Sequence, residues 1–203
     1  MTDSLVLRIA LCLCASIVFA GAARAQEGGG TRFEATLGLG TGSGTIMCNA
    51  CTHAGNMGGS TATLRLTSSP QPRVRVGAMI DCWWHTRETW ERDLCSLSVV
   101  ALYYPGTLRR GFFIGGGPNY AMMWATVTDT TALQRHGWGV LMEMGYELRP
   151  GSALSLTPYA QYSYARVGDI YYPKGSGIPW ARDWKHEVVS VGLGITYHAH
   201  SSK

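Results

Sequence analysis

The chain has 203 residues, a net charge of +4, 46% hydrophobic and only 15% charged residues, and 26 glycines. So small and dispersed a charge argues against a nucleic-acid binder, and the charged fraction lies well below the roughly 25% usual for soluble domains. Beyond the N-terminal segment no stretch carries 18 consecutive apolar residues, which excludes a membrane-crossing helix.

The N-terminus reads as an export signal. Arg8 precedes an apolar run from Ile9 to Ala20, and Ala23-Arg24-Ala25 follows. A basic start, a short apolar core and a small-x-small end predict a secretory signal peptide over residues 1–25. A Gly-rich segment, 26–31, then leads into a single barrel domain over 32–198, with a tail at 199–203. Cys12 and Cys14 fall in the signal, which leaves Cys48, Cys51, Cys82 and Cys95. An even number of cysteines in an exported chain predicts disulfides.

From Arg32 onward the pattern has period 2, which places alternate side chains on opposite faces of a strand. Eight such segments follow in order. In the first, about 32–42, Phe33, Ala35, Leu37 and Leu39 oppose Arg32, Glu34, Thr36 and Gly38. The second, about 60–68, sets Ala62, Leu64 and Leu66 against Thr61, Thr63, Arg65 and Thr67. The third, about 73–82, sets Val74, Val76, Ala78 and Ile80 against Arg73, Arg75, Gly77, Met79 and Asp81. The fourth, about 94–104, carries Leu97, Val99, Ala101 and Tyr103 on one face. The fifth, 111–122, is Gly-rich and its facing is ambiguous. The sixth sets Trp138, Val140, Met142, Met144, Tyr146 and Leu148 against Gly137, Gly139, Leu141, Glu143, Gly145 and Glu147. The seventh, about 153–166, opposes Leu154, Leu156, Pro158, Ala160, Tyr162 and Tyr164 to Ser155, Thr157, Tyr159, Gln161 and Ser163. The eighth, about 187–198, opposes Val189, Val191, Leu193, Ile195 and Tyr197 to Ser190, Gly192, Gly194 and Thr196.

The connections alternate short and long. Short ones fall at 69–72, 105–110 and 149–152, and long ones at about 43–59, 83–93, 123–135 and 167–186. Short turns on one side and long loops on the other are the habit of a membrane barrel with both chain ends on the turn side. All seven tryptophans lie in or beside the long connections. Phe33, Tyr103, Tyr104, Phe112, Phe113, Tyr146 and Tyr197 gather at the opposite strand ends, so two interfacial aromatic belts are expected. The fold class is therefore all-β: an eight-stranded antiparallel up-and-down transmembrane β-barrel.

The sequence resembles the small outer-membrane β-barrel (porin-like) proteins of Gram-negative bacteria. The resemblance is carried by Tyr103-Tyr104-Pro105-Gly106, by Gly111 to Gly117 (GFFIGGG), by Leu154 to Tyr159 (LSLTPY) and by the terminal strand Val189 to Tyr197 (VSVGLGITY). It covers nearly the whole chain after the signal. It implies residence in the cell outer membrane, contact with outer-membrane lipid or lipopolysaccharide, and delivery by the barrel-assembly machinery, which reads a terminal aromatic such as Tyr197. Here the chain continues past that residue to Lys203. A monomer is expected.

Two groups of residues are site candidates. Glu34, Arg65, Arg75, Glu143 and Glu147 share the inward face, with Asp81 and Gln161. Buried charges persist mainly when paired, so a salt-bridged lumen plug is expected. Cys82 and Cys95 sit at the outer ends of strands three and four with lipid-face parity, where a disulfide would close the hairpin with a nominal stabilisation of about 3 kcal/mol. Cys48 and Cys51 form a Cys-x-x-Cys with His53 close by, the pattern of half a metal site or a redox pair. No second such motif completes a zinc site, so a small disulfide bracing the loop is preferred and neither metal nor cofactor is expected. Pairing of the four cysteines across the two loops is the alternative. The arginines and lysines of the long connections could meet lipopolysaccharide phosphates, but they are interleaved with acids.

The leading functional expectation is a non-enzymatic outer-membrane protein acting in envelope structure or surface interaction through long external loops. A narrow porin-like passage is the first alternative. A lipid-modifying enzyme using His136 or His186 is the second, and neither histidine has a recognisable spacing to a serine nucleophile.

Overall fold

The computed structural model describes residues 33–49, 55–87, 90–106, 111–127, 131–149, 153–171 and 179–199. The expected signal peptide, the Gly-rich segment, Cys51 and His53 lie outside them. Eight strands follow in chain order: β1 (Phe33–Asn49), β2 (Asn56–Gln71), β3 (Val74–Arg87), β4 (Trp90–Tyr103), β5 (Gly111–Val127), β6 (Thr131–Glu147), β7 (Leu154–Tyr171) and β8 (Pro179–His198). Each pairs antiparallel with its neighbour, and β1 pairs with β8 from Glu34↔His198 to Asn49↔Arg182, so the sheet closes on itself. Closure leaves no open edge, the condition a sheet must meet in lipid.

The register turns the sequence alternation into two faces. Leu39, Val99, Met142 and Ile195 point outward and are 65%, 66%, 59% and 58% exposed. Thr36, Ser98, Glu143 and Thr196, at the alternate positions of the same strands, point inward and are buried. An apolar outside around a polar inside is the reverse of a soluble barrel and suits a surround of lipid. β5 resolves the same way, with Phe113 and Asn119 buried inside and Phe112 and Ile114 exposed outside.

The long external loops expected from the sequence are corrected by the structure. The strands run 14 to 20 residues, and most of what reads as loop is continued ladder. Only 50–55, 88–89, 128–130 and 172–178 separate the strands on that side. The cause is an inversion of polarity along the barrel axis. Above the lipid-facing band the inward side chains become apolar, and Ile46, Trp83, Leu94, Ala121, Met123, Ala165, Val167, Trp184 and Val188 form one buried cluster. Most outward side chains there are polar, among them Thr41, Ser43, Arg166 and Lys185, with Trp84 and Met122 as exceptions. The alternation continues, but with its two faces exchanged, so it no longer looks like a membrane strand.

The expected aromatic belts hold in part. Trp138, Tyr103, Phe112, Tyr146 and Tyr197 are exposed on the outside, whereas Trp83, Trp184, Tyr104 and Phe113 are buried in the lumen. Glycines make room for these inward rings. A Cβ at Gly44 or Gly59 would meet the Trp83 ring at 2.8 and 2.5 Å, and one at Gly192 would meet the Tyr159 hydroxyl at 2.4 Å. Where β7 leaves the band, Gly168 takes φ +84°. That left-handed backbone, which glycine adopts at no steric cost, sits at the bulge where the β7–β8 register shifts.

Candidate functional site

The lumen has three layers. The layer at the short-turn end is ionic. Arg75 Nη1 lies 2.5 Å from Glu34 Oε2 and 2.8 Å from Glu147 Oε2. It also donates to the Tyr104 hydroxyl at 2.6 Å, and the guanidinium stands 4.1 Å from that ring's centroid. Arg149 Nε meets Glu147 Oε1 at 2.5 Å. The His198 ring bridges the two carboxylates, with Nδ1 3.1 Å from Glu34 and Nε2 3.2 Å from Glu147. One layer inward, Arg65 pairs with Glu143 and stacks 5.2 Å over Phe113.

The five charged residues singled out by parity thus fall into two assemblies, Arg65 with Glu143, and Arg75 with Glu34 and Glu147. Sequence reasoning missed Arg149, His198 and Tyr104. His198 continues the inward parity of Ser190 to Thr196 and could have been found that way. Arg149 read as a turn residue, and Tyr104 as a member of an outer belt.

The middle layer is lined by hydroxyl and amide side chains, Thr36, Thr61, Thr63, Ser96, Ser98, Asn119, Gln161 and Ser163, and by the carboxyl of Asp81, all buried. Asn119 Nδ2 donates to Ser163 Oγ at 2.9 Å, and Thr36 and Thr196 share a hydrogen bond at 2.8 Å. The outer layer is the apolar cluster. Trp83 is 1% exposed, and its ring meets that of His186 edge-on at 5.5 Å. This layer was not expected from the sequence.

Cys82 and Cys95 stand opposite one another across β3 and β4 and are disulfide-bonded. Cys48 is disulfide-bonded as well, and its Cys-x-x-Cys companion Cys51 lies outside the described residues. His136 is exposed on the outer face, whereas His186 is buried inside, so these two histidines do not converge on a common face. Above the band, Asp183 joins Arg166 at 2.7 Å and Lys185 at 2.9 Å. The hydrogen bond from Lys185 and the charge of Arg166 hold the Asp183 carboxyl below its ordinary value.

No protein-family model matches the chain, and no curated protein matches it. Solved structures do. Neisserial surface protein A is similar at a TM-score of 0.54 and 14% identity, over 82% of this chain and 98% of that one. The outer membrane protein OprG from Pseudomonas aeruginosa is similar at 0.53 and 16% identity, over 86% and 99%. The outer membrane protein AlkL, solved in lipid bilayers, is similar at 0.55 and 11% identity, over 87% and 95%. At these identities the likeness shows the fold: a small eight-stranded outer-membrane barrel.

Proposed function

We propose that this protein resides in the bacterial outer membrane as a closed, non-enzymatic barrel and acts at the cell surface through the stretch of wall that stands above the lipid. The observation that carries this reading is the reversal of polarity along the axis. Lipid-facing Val189, Val191, Leu193 and Ile195 give way on β8 to outward Lys185 and inward Trp184. A wall with an apolar filling and a polar exterior is built to stand in water. The filling also closes the outer mouth, and the Arg75 network obstructs the inner one. The surface that partners would meet is then a rigid, disulfide-bonded ladder rather than a set of loops. Arg166, two-thirds exposed beside Lys185, is a suitable contact for lipopolysaccharide phosphates at the boundary.

A narrow passage is the second reading, favoured by the polar middle layer. Conductance in planar bilayers separates the two. The closed reading predicts no steady current steps from the folded protein. Stable large steps would replace it with the passage.

A further inference from the structure

Asp81 projects from β3 into the middle of the lumen and is 5% exposed. Thr63 Oγ1 donates to its Oδ1 at 2.9 Å. Glu34, Glu143 and Glu147 each have an arginine partner. Asp81 makes no ion pair among the described residues, and the charged group bearing on it is Glu143, of like sign. An isolated ionised carboxylate taken out of water is very costly, and it is relieved either by taking up a proton or by a compensating cation.

The surroundings supply what a small cation needs. Ser96 stands directly opposite Asp81 on β4, and Thr63 directly opposite on β2, with Thr61 next along the same inward face. Tyr159 reaches Thr63 across the lumen, 3.4 Å between hydroxyls, and Gln161 adjoins the carboxylate. Thr61, Ser96 and Gln161 are 1%, 2% and 4% exposed. The Thr61 and Ser96 hydroxyls have no hydrogen-bond partner among the described residues, and Gln161 turns its amide N–H toward the carboxylate. A buried polar atom left without a partner costs about 1–3 kcal/mol, so a cluster of them around one unpaired carboxylate marks a place for something that accepts oxygen ligands.

We propose that Asp81, Thr61, Thr63 and Ser96 form a binding site for a monovalent alkali cation, held in the middle of the lumen as a counter-ion. All the donors are oxygens, which suit hard cations. A single carboxylate balances a single charge, whereas calcium sites gather several. That the ion is resident rather than permeating rests on the closed-lumen reading above. Binding itself does not, and an equilibrium measurement reads it independently of conductance.

The test is urea unfolding of the full chain in phosphatidylcholine vesicles, in sodium chloride against N-methyl-D-glucamine chloride at equal ionic strength. For a site with Kd about one tenth of the sodium concentration, the ratio of folded to unfolded protein rises about tenfold in sodium. D81N keeps the acceptor for Thr63 and loses the charge, so it should fold and respond equally to both salts. S96A keeps the carboxylate, and its sodium response should shrink, which covers the case in which D81N does not fold. Equal stability of the wild type in the two salts overturns the site. So does an undiminished sodium response in D81N or S96A, or a protonated-carboxyl infrared band at neutral pH that D81N removes.

Discussion

Arg65 and Glu143 reach each other from β2 and β6, across the lumen, and each is almost wholly buried. Their mutual attraction and their desolvation nearly cancel, so the pair contributes little net stability while each partner depends on the other. Glu143→Ala should therefore destabilise the barrel by about 3–5 kcal/mol, by stranding the guanidinium. Replacing both residues with methionine should cost much less than that single change, and urea unfolding in lipid vesicles measures both. At this scale parity was informative: it set Glu34, Arg65, Arg75, Glu143 and Glu147 on the inner face. It carried no information on who pairs with whom, because that depends on strand stagger around the closed wall. Arg149 lay in a Pro-Gly turn, where period 2 has already ended, and nothing in the sequence aimed it at Glu147.

Strands are where sequence and structure diverge most. Apart from the Gly-rich fifth strand, the lipid-facing halves were legible because the outward positions are apolar and most inward positions are polar. The outer halves were not. From Trp83 on β3, Lys185 on β8 and Ile46 on β1 the apolar face switches from outside to inside. A reading that expects one polarity takes the switch for a loop. The same switch gives the outer elements a core of their own, in which Trp83 packs into the space left by Gly44 and Gly59. Trp83→Ala should cost about 3–5 kcal/mol, the range for emptying a buried aromatic site. Thermal unfolding of the folded protein in vesicles would register that loss. A cost below about 1 kcal/mol would mean that the cluster does not hold the outer wall together.

Taken whole, the molecule is a closed wall whose two faces exchange polarity near the level at which it leaves the lipid. The strand count, the antiparallel order and the short turns at one end followed from the sequence. The buried apolar cluster of the outer halves did not, because it arises only when Ile46, Trp83, Leu94, Met123, Val167 and Trp184 come together from six strands. Methyl NMR of the protein in lipid nanodiscs tests this arrangement most directly, using a doxyl-labelled lipid and a water-soluble gadolinium chelate as separate broadening agents. The outward methyls of Val189, Val191, Leu193 and Ile195 should be broadened by the lipid label alone. The inward methyls of Ile46, Leu94, Val167 and Val188 should be shielded from both agents. Broadening of the first set by the chelate would contradict the membrane-spanning band, and broadening of the second set by the chelate would contradict the closed lumen.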